Sequence, residues 1–521
     1  MPLDSFFVRT SEEFPVFHKQ LTRTSATQSR LDHPYDFPAF LFATTEVQLE
    51  RGAVDELLHL LELENTLERL YQHAPHDYDA EAHIRRVALT PDFHKGAGIP
   101  VGTVLEGENF ILPQAVGNDI GCGMRLHPTS LSRDQLEPHL DRLEGRLRHM
   151  FFEGGRDIAL TGRQRRALLH GGVSGLLESV PQAQSGGLWR QFQAQDVRGD
   201  LERMDSGGSL PAAQLSGLDD WIGSLEHSSR DSQIGSIGGG NHFVELQYVH
   251  KLLEPGTAHA WGLKVGQVTV MVHSGSLGVG HLSGNLARDA AKRAYPAGLT
   301  RPENGFYPLT LCEHNEAALE GIVSALNSAG NFAFVNRLFL ALMVQHALEG
   351  LLGELDFPLL YDAPHNFTWS TLLEGNGRTF LHRKGATPAR GFEAMQGTPF
   401  AYTGEPVLVP GSMGASSFVL AGRGLMESLS SASHGAGRQK TRGDAMRGHD
   451  LEFEQFLQDF RVVTPLDWKR ARADVRGKKL EELKQEAPFA YKGIGPVVDT
   501  LEQAGMARAV VELRPLLTVK G

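Results

Sequence analysis

The stretch Gly117-Asn118-Asp119-Ile120-Gly121-Cys122-Gly123-Met124 sets a carboxylate and a thiol three residues apart between glycines. Glycine tolerates left-handed backbone and close approach to a ligand, so Asp119 and Cys122 can converge on one point from a tight turn. That point suits a metal ion. A carboxylate–thiol pair alone decides little, because a lone cysteine is more often a small buried apolar residue than a ligand.

Upstream of this turn, glycines multiply from Arg86 onward in a strand-and-turn pattern that carries Pro91-Asp92-Phe93-His94-Lys95-Gly96. Residues 1–85 read as an N-terminal lead-in, with an amphipathic helix expected from Ala53 to Tyr71 on the spacing of Val54, Leu57, Leu58, Leu61, Leu67 and Leu70. Downstream, about 130–229 is polar and leans to helix, with Ser185-Gly186-Gly187 and Ser206-Gly207-Gly208-Ser209 as punctuation. It carries no evident chemistry and is expected to be a peripheral helical insertion. Glycine then returns in Gly238-Gly239-Gly240-Asn241-His242-Phe243, whose tail alternates like a strand and puts His242, Val244 and Leu246 on one face. Apolar strands expected at 268–272 and 358–361 lead into His273-Ser274-Gly275-Ser276 and Asp362-Ala363-Pro364-His365-Asn366, placing His273 and His365 just past strand ends. A helix is expected from Phe332 to Leu352. The motifs are spread from about residue 90 to 492 without repeat or linker, which favours one large α+β domain over residues 86–521.

Composition narrows the classes. The 521 residues are 41% hydrophobic and 21% charged, as in a globular chain. No run of about 18 apolar residues occurs and Met1-Pro2-Leu3-Asp4-Ser5-Phe6-Phe7 lacks signal-peptide character, so a cytoplasmic protein with no membrane partner is expected. Cys122 and Cys312 are the two cysteines, so no disulfide framework is implied. A formal charge of −12 argues against coating nucleic acid by bulk attraction, yet leaves room for a local basic groove. Two clusters could form one: Arg438-Gln439-Lys440-Thr441-Arg442, and Lys469-Arg470-Ala471-Arg472 continuing to Arg476, Lys478 and Lys479. Most such runs are solvated faces.

Asp119, Cys122, His242, His273 and His365 together have the ligand types of a dinuclear metal site. A thiolate can bridge two cations, and softness alone favours zinc, while paired ions about 4 Å apart are a recurrent device of phosphoryl chemistry. His434 differs, lying between Ser433 and Gly435-Ala436-Gly437-Arg438. Small residues let a nucleotide lie against backbone, arginine offers a bidentate phosphate contact, and imidazole is a competent nucleophile toward phosphorus.

In this combination the chain resembles the RtcB family of RNA ligases. The segments that carry the resemblance are Asp119-Ile120-Gly121-Cys122-Gly123-Met124, Gly238-Gly239-Gly240-Asn241-His242-Phe243, His273-Ser274-Gly275-Ser276, Ala363-Pro364-His365-Asn366, His382-Arg383-Lys384-Gly385-Ala386-Thr387, Pro410-Gly411-Ser412-Met413-Gly414, His434-Gly435-Ala436-Gly437-Arg438 and Ala490-Tyr491-Lys492, in the family's order. The resemblance implies an RtcB-like α+β catalytic domain with β-sheets around a metal and nucleotide cleft. It further implies a GTP- and manganese-dependent ligase that joins RNA 3′-phosphate or 2′,3′-cyclic phosphate ends to 5′-hydroxyl ends, in RNA repair or tRNA splicing. Carried over by position, Cys122 would bridge two Mn²⁺ ions, with Asp119 and His242 completing one shell and His273 and His365 the other. His434 would form a covalent histidine–GMP. The GTP-contacting set would be Asn241, Glu245, His365, Asn366, Pro410, Gly411, Ser412, Met413, Ser416, His434, Gly435, Ala436, Gly437, Arg438 and Lys492, with Glu245, Ser416 and Lys492 reading guanine. On the metal, the resemblance overrides the softness argument.

The chain also departs from the family. Leu277 stands where the family usually has an arginine, and Ala97 where it generally has an aromatic. Loss of the guanidinium keeps a guanylylating 3′-end capping enzyme for RNA or DNA as an alternative. A metal-dependent phosphodiesterase or phosphatase that does not use His434 is another, and a non-enzymatic RNA-binding protein is the least favoured. Sequence alone leaves open the physiological RNA, the oligomeric state and the need for an activating protein partner.

Overall fold

The computed structural model describes residues 20–77, 81–181, 184–215, 217–373, 377–467 and 472–521, without the side chains of 473–476 and 478. The first strands are short runs between turns: β1 (Leu21–Arg23), β2 (Gln28–Leu31) and β3 (Ala39–Phe42). The expected helix at 53–71 is two helices, α1 (Arg51–Leu61) and α2 (Leu63–His73), which jog at Glu62. Their apolar stripes are buried, as the spacing requires. Long strands follow: β4 (His83–His94), β5 (Val101–Glu108) and β6 (Gly123–Ser132). The next stretch supplies helices α3 (Leu140–Phe152) and α4 (Gly162–Ser179), the latter opened by a capping box between Thr161 and Gln164. Then come β7 (Phe243–Leu252), β8 (Gln267–Ser274), α5 (Leu277–Ala294), α6 (Glu316–Leu352), β9 (Tyr361–Pro364), β10 (Asn366–Leu372), β11 (Arg378–Lys384), β12 (Pro406–Val409), β13 (Ser417–Gly422) and β14 (Ala507–Val519).

The strands assemble into two large sheets. The seven-stranded sheet has the order β1-β2-β3-β4-β5-β11-β10, so the segment before residue 86 is continuous with the strands after it through the parallel β3–β4 pair. The eight-stranded sheet has the order β9-β6-β8-β7-β14-β13-β12, with the short strand Val462–Val463 beside β14. Helices and sheets mix in a single α+β domain.

The expected helix at 332–352 starts earlier, at Glu316, and spans 37 residues. Its first half is rich in Ala, Gly and Ser, which lack a strong apolar period yet pack closely. The whole of α6 from Ala329 to Val344 is buried. The stretch at about 130–229 is not peripheral: Leu143, Leu147, Leu168, Val173 and Trp189 share one hydrophobic core with Phe332, Val335 and Phe339 of α6. Burying each such side chain contributes roughly 1.5–3 kcal/mol, so this region holds the central helix in place. Among the described residues, no helix is long and apolar enough to cross a membrane.

Candidate functional site

Four donors come together because four neighbouring strands end at the same edge of the eight-stranded sheet. Cys122 precedes β6, His242 precedes β7, His273 lies near the end of β8, and His365 follows β9. The register makes them neighbours: Met124 pairs with His273, Phe243 pairs with His273, and Pro364 pairs with Gly123. The His365 N–H donates to the Cys122 carbonyl at 2.7 Å. Two boundaries differ from the sequence expectation. His273 lies inside its strand, not past it, and the strand expected at 358–361 is displaced to Tyr361–Pro364, so that Asp362 lies within it. A proline at 358 and apolar Leu359 and Leu360 give no signal separating entry chain from strand.

The Cys122 Sγ lies 3.2 Å from His242 Nε2 and 3.3 Å from His273 Nε2, and His273 Nε2 lies 3.3 Å from His365 Nε2. Asp119 Oδ2 is 2.7 Å from His242 Nε2. Two candidate ligand groups result, Cys122–His273–His365 and Asp119–Cys122–His242, with Cys122 common to both. The turn needs its glycine: Gly121 has φ 74°, and a Cβ there would come within 2.9 Å of Ala333 and Gly330 on α6.

The protonation chemistry of the cluster suits a cation. His242 Nδ1 faces the Ile237 carbonyl at 3.0 Å, which assigns the proton to Nδ1 and turns the Nε2 lone pair toward Asp119 and Cys122. Burial first, and then unfavourable electrostatics from the neighbouring His242, His434, Lys520 and Arg337, push His273 well below the usual imidazole range, and burial with His434 nearby does the same to His365. Burial and then the Asp119 charge push the Cys122 thiol well up. The His365 Nδ1 is buried without a hydrogen-bond partner. Neutral imidazoles, a carboxylate and a thiol packed this tightly are a donor set that two divalent ions would satisfy.

The His434 ring lies beside this group, 4.7 Å from that of His365 between centroids. Asp92 Oδ2 accepts from His434 Nδ1 at 2.6 Å and from its backbone N–H at 3.2 Å, while the Thr90 hydroxyl donates to Oδ1 at 2.6 Å. Burial would raise the Asp92 carboxyl, but electrostatic attraction and the hydrogen bond from His434, with Thr90 and His94, hold it below the ordinary carboxylate value. A carboxylate on Nδ1 leaves the Nε2 lone pair free. The glycine at 437 has φ 76° and a Cβ there would strike the Asp92 carbonyl, so Gly437 is required by packing against Asp92.

A cleft of about 770 Å³ opens onto both features. It is lined by Asp119, Cys122, Asn241, Glu245, His273, His365, Asn366, Pro410, Gly411, Ser412, Met413, His434, Gly435, Ala436, Gly437 and Arg438. His242 stands behind its wall. Ser416 and Lys492 do not line it: the Ser416 hydroxyl donates to Glu512 at 2.7 Å, and the buried Lys492 Nζ donates to the Phe93 carbonyl at 2.6 Å. Lys520, absent from the sequence expectation, does line it, with Nζ 2.9 Å from the His242 carbonyl and burial lowering its pKa to about 8. As the penultimate residue it reads as an exposed tail, and only the pairing of β14 with β7 brings it inward. Asp92 is visible in its motif, but the sequence offers no partner to give it a role. Besides Lys520, the basic residues Lys95, Lys384, Arg438, Lys440 and Arg442 line the cleft. Lys469, Arg470 and Ala471 lie outside the described residues, as do the side chains of Arg476 and Lys478.

A family model described as "tRNA-splicing ligase RtcB" matches residues 79–521. The chain belongs to the RtcB family. It is 33% identical over 451 residues to a tRNA-splicing ligase RtcB of Thermococcus kodakarensis, covering 83% of this chain and 87% of that protein. It is 31% identical over 456 residues to an RNA-splicing ligase RtcB of Mycobacterium tuberculosis, covering 84% and 97%. An RNA-splicing ligase RtcB homolog 1 of Entamoeba dispar is 31% identical over 452 residues, covering 83% and 78%. The family match runs from just before β4 to the C-terminal end and includes Asp92, His434 and all five donors of the cluster.

Proposed function

We propose that the chain is a GTP- and Mn²⁺-dependent RNA ligase that joins RNA 3′-phosphate or 2′,3′-cyclic phosphate ends to 5′-hydroxyl ends in tRNA splicing or RNA repair. The observation that carries this reading is the placement of an Asp92-oriented His434 directly beside a Cys122-centred donor cluster on one cleft. That pairing suits covalent phosphoryl transfer and has no use in simple RNA binding.

Two Mn²⁺ ions held by Asp119, Cys122, His242, His273 and His365 would supply charge neutralisation for phosphate. With Nδ1 bonded to Asp92, the His434 Nε2 lone pair attacks the α-phosphorus of GTP; a P–N bond forms, the bond to the β-phosphate oxygen breaks, and pyrophosphate leaves with the electron pair. A cyclic phosphate end is opened by water to the 3′-phosphate, whose oxygen then displaces His434 from the GMP. The 5′-hydroxyl finally attacks the activated phosphate and GMP departs. Asn241, Asn366 and the segment Pro410–Met413 line the wall against which the nucleotide would lie, together with the buried Glu245. We assign residues 86–521 to the catalytic unit, with 130–229 as its helical insertion and the segment before 86 as a lead-in whose strands extend the first sheet.

A second reading rests on Leu277. Its side chain lies beside Gly238, which the His242 ring also approaches, and an apolar residue there offers nothing to a phosphate. Capping of a 3′ end without joining would follow if the acceptor step were lost. Incubation of a cyclic-phosphate strand and a 5′-hydroxyl strand with GTP and Mn²⁺ separates the two. Joined product that requires His434 supports the ligase, and a guanylylated end that persists beside the 5′-hydroxyl strand supports capping.

A further inference from the structure

At the middle of α6 two polar side chains, Asn336 and Arg337, are wholly buried. Neither lines the cleft, and neither is explained by core packing, since burying a guanidinium is costly unless every direction is satisfied. Their partners offset most of that cost, with Arg337 Nη2 held by the Asp362 charge and not by an aligned hydrogen bond. Arg337 Nη1 donates to the Gly121 carbonyl at 2.7 Å and to the Ser274 carbonyl at 3.1 Å, while Nε and Nη2 each lie 2.8 Å from Asp362 Oδ1. Gly121 separates Asp119 from Cys122, Ser274 follows His273, and Asp362 stands in the strand that delivers His365. One planar cation therefore ties together the three chain segments that bear four of the five donors.

Asn336 reaches the fifth. Its Oδ1 accepts from the Gly235 N–H at 2.8 Å, and its Nδ2 lies 3.1 Å from the Ser236 carbonyl, the Ser274 hydroxyl and the Gly275 carbonyl. The Ser274 hydroxyl donates in turn to the Ile237 carbonyl at 2.8 Å, the same oxygen that receives His242 Nδ1. The chain of contacts from Asn336 to His242 thus fixes the orientation of that imidazole. The Arg337 charge is matched by Asp362, which also accepts from Arg125 Nη1 at 3.1 Å, so α6 brings a paired guanidinium to the back of the site.

We propose that Arg337, assisted by Asn336, is the positioning residue of the metal centre, holding the Asp119–Cys122 turn, the His273 strand end and the His365 strand at the separation that two divalent ions require. The proposal depends on the donor cluster being a metal centre. Lysine cannot replace Arg337, because a single ammonium lacks the planar fork that meets two carbonyls and a carboxylate at once.

The test is calorimetric titration of metal-free protein with Mn²⁺ alone, with circular dichroism melting of the same samples, on wild type, Arg337→Lys and Asn336→Ala. Failure of wild type to bind Mn²⁺ would refute the metal centre itself, an outcome distinct from a loss confined to the variants. The expected result is Mn²⁺ affinity about 10–100-fold weaker in folded Arg337→Lys, and weakened in the same direction in Asn336→Ala. Wild-type affinity and stoichiometry in folded Arg337→Lys, even with a lowered melting temperature, would overturn the proposal. Should Arg337→Lys not fold, Asn336→Ala decides on the same criterion: weakened Mn²⁺ binding supports the proposal and wild-type affinity overturns it.

Discussion

Asp92 and His434 are 342 positions apart in the chain, yet the carboxylate Oδ2 meets the imidazole Nδ1 at 2.6 Å in a buried site. The contact sets the tautomer of the candidate nucleophile. Asp92→Asn keeps the shape but removes the charge and replaces one of the two acceptor oxygens with an NH2 donor, so guanylylation is expected to fall by at least ~100-fold while GTP binding changes little. Single-turnover labelling with GTP measures the first and equilibrium binding the second.

Cys122 is shared by both candidate ligand groups. Cys122→Ser replaces the soft sulfur common to both groups with a hard oxygen, and bound Mn²⁺ is expected to fall below the wild-type stoichiometry, with residual affinity at least ~100-fold weaker. Elemental analysis after gel filtration reads the stoichiometry directly.

Glu245 is buried in the cleft wall, and burial lifts its carboxyl to about 7 against the opposing pull of Thr518, Gln247 and Lys520. Between 4.5, its ordinary value, and about 7, the folded protein holds a proton that the unfolded chain has released. Stability therefore falls as pH rises through that window, by an amount on the order of 3 kcal/mol at most. Glu245→Gln should flatten this part of the pH profile in urea titrations of metal-free protein. An unchanged slope would show that the carboxyl is not held protonated.

Gly121 is in left-handed backbone against α6. Gly121→Ala must adopt that conformation with a Cβ 2.9 Å from Ala333 Cβ and Gly330 Cα. A loss of more than ~1 kcal/mol in stability is expected, with weakened Mn²⁺ binding. Denaturant midpoints at fixed slope provide the check.

The ligand types were legible because Asp119, Cys122, His242, His273 and His365 each sit in a short glycine- or strand-flanked motif. Their convergence was expected from the ligand types and the resemblance but could not be derived from local pattern, since it depends on the register of four strands that the chain visits in the order β6, β7, β8 and β9 but stacks as β9-β6-β8-β7. The same gap explains the misreading of 130–229: its helices are polar on one side and carry ordinary apolar spacing, and only the α6 core reveals what that spacing packs against. The early start of α6 was hidden by small residues that give no periodic contrast. Lys520 and Asp92 acquire roles only through partners hundreds of positions away, which local pattern cannot supply.

The most direct test of the account is covalent labelling of His434. Protein is incubated with GTP labelled at the α-phosphate and Mn²⁺, denatured, and examined for acid-labile, hydroxylamine-sensitive label on wild type, His434→Ala and Cys122→Ala. The account predicts label on wild type and on neither variant. Absence of label on wild type with Mn²⁺ demonstrably bound, or label that survives His434→Ala, would contradict it.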